Sequence, residues 1–279
     1  VNNISLDHKS MDELRALFRD YVARARLSVL NLDNAETASL ARMRPADRTI
    51  TYAFDDRTAH YSAHALAPAA TGIAFTLHER DSRSDIRLKL AVPGRHNVSN
   101  ALAAIAASRA AGVPLGKAVA AIQQFAGVKR RLEIVGHAGG ITMIDDFAHN
   151  PDKIAATLDT LHDFPGRLLI LFQPHGFGPL KKMKDEFIAG FAAKLAPDDI
   201  LVISEPAYFG GTTDRCVGAG DIAAGIVSRG RKALAPGDRQ TCGALIASLA
   251  KSGDRIVVMG ARDDTLSAFA ADLLTGFAV

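Results

Sequence analysis

The residues able to do chemistry fall into tight groups along this sequence. The densest is Asp145-Asp146-Phe147-Ala148-His149-Asn150-Pro151, and the cations Lys129-Arg130-Arg131 stand a short way before it. Adjacent residues of a strand point to opposite faces, so one aspartate can bond a ligand while the other braces a loop. His149 offers an imidazole that is neutral or charged near physiological pH. A second group, Phe172-Gln173-Pro174-His175, is followed by Gly176 and Gly178. In a third, Pro93-Gly94-Arg95-His96-Asn97-Val98-Ser99-Asn100, Asn97 and Asn100 are spaced to share a helix face. Two amides there suit a purine edge or a ribose; the plainer alternative, capping by Asn97, leaves Asn100 unexplained. In Asn3-Ile4-Ser5-Leu6-Asp7-His8 the imidazole can ligate a metal, although most such pairs are structural. In Met259-Gly260-Ala261-Arg262-Asp263-Asp264 a close glycine and an arginine suit a ligand or loop-closure role, the plainer alternative being an ordinary turn.

The elements that must position these groups are legible from periodicity. Ser10 and Glu13 form a capping box, and Met11, Leu14, Phe18, Val22 and Ala25 recur at helical spacing after it. Strand-like runs follow at 27–32, 49–54, 72–77 and 86–92, separated by turn residues, and read as a partly antiparallel sheet. Helices are expected over 97–111 and 114–125, then a polar joint, Gly127-Val128-Lys129-Arg130-Arg131. Beyond it, strands at 141–144, 168–172, 200–204 and 256–259 alternate with helices beginning at Pro151, over 181–195, near 220–229 and around 243–251. Apolar, unalternating strands between helices predict a parallel, doubly wound sheet. Ligands of such sheets sit outside the carboxyl ends of the strands, where the groups at 145–150, 172–175 and 259–264 fall.

Composition narrows the function classes. The chain has 279 residues, a net charge of +3 and no dense basic block beyond Lys181-Lys182-Lys184, so neither nucleic-acid binding nor a membrane span is expected. Cys216 and Cys242 belong to no metal-binding or disulfide pattern, and a reducing cytoplasm fits. The chain holds neither G-x-x-x-x-G-K-[ST] nor G-x-G-x-x-G, the loops that cradle phosphates and dinucleotides. It opens on Val1-Asn2-Asn3-Ile4, without a Met or a leader pattern, and is expected to be a fragment.

Together, Gly94-Arg95-His96-Asn97 with Asn100, Gly127–Arg131, Asp145–Pro151 and Phe172–His175 resemble the Mur ligase family, in particular its alanine-adding branch and the relative that reattaches recycled muropeptide. The resemblance implies an α/β chain with the remainder of a central ATPase-type domain at 1–128, then a Rossmann-like C-terminal domain at 129–279. The N-terminal domain and the phosphate loop would belong to a missing N-terminal region, without which the fragment would be inactive. It implies an ATP-dependent ligase that joins a UDP-sugar carboxylate to an amino acid or peptide amine through an acyl phosphate, for peptidoglycan. By matching motifs, His8 would sit at a Mg2+ site, and His96, Asn97 and Asn100 would hold ATP. Arg131 would reach the terminal phosphate, Asp146 would bond the ribose, and His149, His175 and Lys181 would face the amine substrate. Arg131 and His149 would be catalytic, with domain closure assembling the site. The chain departs from the family pattern at Ser5-Leu6, where many members have Glu, at His8-Lys9-Ser10, where many have His-Leu-Asp, and at Gly176 and Pro179, where the alanine-adding enzymes have arginines. Alternatives are a non-catalytic nucleotide- or ligand-binding relative, a metal hydrolase using His8, Asp146 and His149, and a polyglutamate- or cyanophycin-type ligase.

Overall fold

A computed structural model of the chain describes residues 1–4, 10–69, 71–207 and 215–277. The chain divides into two compact units, Val1–Ala126 and Gly127–Val279.

The first unit comprises α1 (Met11–Arg24), β1 (Ser28–Asn31), α2 (Ala35–Met43), β2 (Thr49–Phe54), β3 (Tyr61–Ala69), β4 (Gly72–Glu79), β5 (Ser84–Leu90), α3 (Arg95–Ala110) and α4 (Leu115–Gln123). The capping box forms: the Glu13 N–H donates to Ser10 Oγ and the Ser10 N–H to the Glu13 carboxylate, satisfying donors that the first helical turn leaves unpaired. The sheet order is β1-β2-β3-β4-β5, with β1, β2 and β3 parallel and β4 and β5 antiparallel additions. Its core joins Tyr52, Phe75, Leu77 and Leu88 to Val98, Leu102, Ile105 and Ala106 of α3. That helix begins at Arg95 rather than Asn97. Gly94, at φ 100°, takes the cap position, a conformation that costs glycine little. Asn97 is therefore not the cap; its side chain donates back to the Pro93 carbonyl at 2.7 Å.

The second unit comprises β6 (Glu133–Ala138), β7 (Ile141–Asp146), α5 (Pro151–His162), β8 (Leu168–Gln173), α6 (Phe177–Lys182), α7 (Lys184–Lys194), β9 (Ile200–Ser204), α8 (Ala219–Val227), β10 (Lys232–Gly237), α9 (Arg239–Leu249), β11 (Arg255–Gly260) and α10 (Thr265–Thr275). The sheet order is β10-β9-β8-β11-β7-β6. All its pairings are parallel except β6 against β7, at one edge. Every residue of β8 and β11 is buried, as expected where helices cover both faces. Ile154 and Leu158 of α5, Phe187 and Phe191 of α7, and Ile222 of α8 pack into one core cluster. Cys242 and Ile246 of α9 pack with Leu266 and Phe269 of α10 into another. The helix expected over 181–195 is broken at Met183, which closes α6 and opens α7. Among the described residues no helix is long and apolar enough to cross a membrane.

Register aligns the strand ends that carry the polar groups. β11 lies between β7 and β8, with Asp146 beside Met259 and Gly260 beside Gln173. The loops after these three strands therefore leave the sheet side by side.

Candidate functional site

The loop entering β6 is held in an unusual shape. Arg130 and Leu132 have φ of 59° and 48°, left-handed values that cost a side-chain-bearing residue about 1–3 kcal/mol. Several contacts hold them there. The Arg130 N–H donates to Glu133 at 2.7 Å, and the Leu132 N–H donates to Asp146 Oδ2 at 2.7 Å. The Phe147 N–H donates to the Arg130 carbonyl at 2.7 Å. The Arg130 guanidinium turns inward and donates to the Gly260 carbonyl at 2.8 Å. Its Nε lies 3.5 Å from Asp145 Oδ2, close enough for electrostatic attraction but without hydrogen-bond geometry, and among the described residues Arg130 Nε and Nη1 and Asp145 Oδ1 have no hydrogen-bond partner. Burial raises the Asp145 carboxyl above its ordinary range, opposed by the Ser267 hydroxyl and the Arg130 charge. Arg131 remains exposed, its guanidinium 5.3 Å from the centre of the Phe147 ring. The loop thus buries one arginine as a brace and presents the next to solvent.

Asp146 is 5% exposed and supports two loops and a helix. Besides the Leu132 N–H, it accepts from the Ala148 N–H at 2.9 Å and the Thr157 hydroxyl at 3.0 Å. A carboxylate has about four acceptor sites, which leaves room for one ligand hydrogen bond.

His149 and His175 meet edge to face with ring centres 5.1 Å apart. His149 Nδ1 lies 2.9 Å from the Phe147 carbonyl, which selects the tautomer protonated at Nδ1 and leaves Nε2 as an acceptor. Burial chiefly holds both imidazoles below their ordinary value of 6.5. The Phe147 carbonyl opposes this at His149, while Lys153, Arg262 and Arg131 reinforce it. At His175 the neighbouring His149 and Arg262 reinforce it. Below 6.5 the unfolded chain takes up protons that the folded one refuses, so this pair's contribution to stability is complete above that value and is lost as pH falls through it. The melting temperature is expected to fall as pH is lowered below 6.5, and His149→Gln to flatten the fall; an unchanged slope in the variant contradicts the assignment.

In the first unit, Asn97 and Asn100 lie on the opening turns of α3. The Asn97 amide nitrogen is used on Pro93, whereas the Asn100 carbonyl oxygen accepts from the Asn2 side chain at 2.8 Å. One side chain therefore keeps an acceptor and the other keeps donors, the complement of an adenine edge with its N6 amino group and N7. Asn2, which sequence reasoning missed, is a hub here: its Oδ1 accepts from Tyr52 at 2.9 Å and Ser99 at 3.0 Å. His96 is exposed on the same turn.

The sequence-proposed residues thus separate by unit. Asp146, His149 and His175 gather at the carboxyl edge of the second sheet, with Arg131 on the loop that Asp146 braces. Asn97, Asn100 and His96 gather at the start of α3. Lys181 is exposed on α6. His8 lies outside the described residues. Among the described residues no group of three or more His, Cys, Asp or Glu side chains converges as a metal site; magnesium carried by nucleotide phosphates keeps most of its water and takes few protein ligands. Arg130 received no role of its own in the sequence, and Arg262 only a general one at a strand end. The left-handed φ of 60° at Arg262 leaves no mark in residue type, so only coordinates reveal it.

Two family models match the chain: the Mur ligase middle domain over residues 5–108 and the Mur ligase glutamate ligase domain over residues 130–262. Among curated relatives, the UDP-N-acetylmuramate–L-alanine ligase of Streptomyces coelicolor is 31% identical over 95% of this chain and 58% of its own length. That of Cereibacter sphaeroides is 34% identical over 98% of this chain and 59% of its own. The chain thus spans less than two thirds of these relatives. The crystal structure of the Thermotoga maritima UDP-N-acetylmuramate–alanine ligase superposes with a TM-score of 0.73 at 23% identity, covering 99% of this chain and 58% of that one, which shows the shared fold. The middle-domain match over the first unit and the glutamate-ligase-domain match over the second make this chain a member of the Mur ligase family.

Proposed function

We propose that this chain is the nucleotide- and amine-handling part of a cytoplasmic ATP-dependent carboxylate–amine ligase acting on a UDP-muramoyl-type carboxylate in peptidoglycan metabolism. The observation that carries this reading is the exposed Arg131 on a pinned left-handed loop, in the same unit as Asp146 and the His149–His175 pair. The complementary amides of Asn97 and Asn100 support a purine nucleotide, with His96 on the same turn. The N-terminal region of the same protein would supply the phosphate-gripping loop and the sugar-nucleotide site.

In this mechanism a carboxylate oxygen of the donor attacks the terminal phosphorus of ATP, giving an acyl phosphate and ADP. The amine nitrogen then attacks the acyl carbon, and phosphate leaves as the amide forms. Arg131 neutralises charge on the transferring phosphoryl group. Asp146 accepts from a ribose hydroxyl with its remaining acceptor site. The amine must lose a proton to attack, and the free Nε2 of His149, neutral at pH 7, is placed to accept it. His175 and Lys181 face the amine substrate. His8 would hold Mg2+, which would supply charge neutralisation at the phosphates.

The test is ADP release by the full-length gene product with ATP, UDP-N-acetylmuramate and a mixture of amino acids. Release that requires both the carboxylate and an amine supports the ligase. Release that ignores either one, or no release, overturns it.

A further inference from the structure

Arg262 stands among the three strand-end loops. It lies in the loop after β11, which is bracketed by the loops after β7, bearing His149, and β8, bearing His175. It is exposed and, among the described residues, forms no hydrogen bond or ion pair. Its φ of 60° is one that glycine adopts freely and arginine only at a cost.

The loop around it is fastened on both sides. Arg130 holds the Gly260 carbonyl at 2.8 Å. Asp263 accepts from Gln173 at 2.8 Å, from Arg239 at 2.9 Å, and from the Thr265 N–H at 3.0 Å. Arg130 also lies 3.6 Å from Asp264. A strained backbone tied this firmly around an unpaired guanidinium is expected where the guanidinium has a ligand to meet. Of the cations near the two imidazoles, Lys153 and Arg131 act on His149 alone, whereas Arg262 acts on both. The loop after β8 offers no cation of its own at Gly176, Gly178 or Pro179.

We propose that Arg262 is the carboxylate-recognising, specificity-determining residue of the His149–His175 site, and that the amine substrate is therefore an amino acid or peptide amine with a free carboxylate near its amino group. This rests on the ligase reading for what happens next to the amine, but the anion site can be tested without turnover. A guanidinium fork matches a carboxylate through two parallel N–H···O bonds, and the neutral imidazoles beside it accept from the ammonium or amine of the same ligand.

The experiment uses the full-length protein with 13C-labelled histidine, following the ring signals of His149 and His175 by NMR. Acetate, glycine, glycinamide and inorganic phosphate are titrated into wild type, Arg262→Lys and Arg262→Gly. Acetate and glycine are expected to shift both rings saturably in wild type, glycinamide not to, and Arg262→Lys to keep part of the response. In Arg262→Gly the affinity for acetate is expected to fall about tenfold or more. The same variant is expected to melt no lower than wild type, because glycine relieves the left-handed strain, and this separates a binding role from a structural one. Equal acetate affinity in Arg262→Gly overturns the proposal. So does an Arg262-dependent response to phosphate but not to acetate, which would make the site one for the phosphoryl group. If full-length protein forms no ADP yet binds acetate through Arg262, the ligase reading fails and the carboxylate site stands.

Discussion

Arg131→Ala in the full-length protein is expected to lower ATP turnover by about 10²–10³-fold, the usual effect of removing one preorganised charge from a transferring group. Stability is expected to change by less than about 0.5 kcal/mol, because the side chain is exposed and such substitutions away from packed features are nearly neutral. The two effects separate because the loop is built on Arg130 and Leu132, not on Arg131. Arg131→Lys is expected to recover only part of the rate, since an ammonium cannot reproduce the planar fork. Coupled measurement of ADP with melting curves for each variant checks this. Full turnover in Arg131→Ala would remove Arg131 from the mechanism and leave the loop's strained shape without a reason.

The largest stability effect is expected at the neighbouring residue. Arg130→Met leaves Asp145, which is fully buried, without the cation that faces it among the described residues and frees the Gly260 carbonyl. Breaking a buried pair from one side costs about 3–5 kcal/mol, and chemical denaturation should read a loss of that size. The double variant Arg130→Met, Asp145→Leu is expected to regain more than half of it, because the orphaned charge goes with its partner. A cycle of the two single variants and the double isolates the coupling. Simple additivity of the two single losses would show that the pair is not coupled and that the Arg130 side chain acts through its hydrogen bond to the Gly260 carbonyl.

The four central strands of the second sheet, β7, β8, β9 and β11, were legible because they are almost wholly buried and read as apolar runs, as in Leu168–Phe172 and Ile256–Met259. Once those runs are placed, the polar residues just after them must fall on the carboxyl edge. The broken helix at Met183 was hidden, since no glycine or proline marks the break. Strands β3, β6 and β10 were missed because few of their residues are fully buried, and Pro68 and Pro236 interrupt β3 and β10, which blurs the period. The two aspartates show the sharper lesson. Alternation separates their faces, yet both are buried, because β7 runs between β6 and β11 and meets partners far away in sequence: Leu132 and Thr157 for Asp146, Arg130 and Ser267 for Asp145. The left-handed residues Arg130, Leu132 and Arg262 carry no sequence signal, since nothing in an arginine or a leucine announces a positive φ. They mark the loops at which the candidate site is built.

The central claim is that a carboxylate is activated by phosphoryl transfer before the amine attacks. It is tested most directly by giving the full-length protein UDP-N-acetylmuramate labelled with 18O in its carboxylate, ATP and an amino acid, and weighing the released inorganic phosphate. An acyl phosphate carries one labelled carboxylate oxygen into the phosphate, so one 18O per phosphate released is the expected result. Phosphate free of label, with amide formed or ATP consumed, would contradict the account.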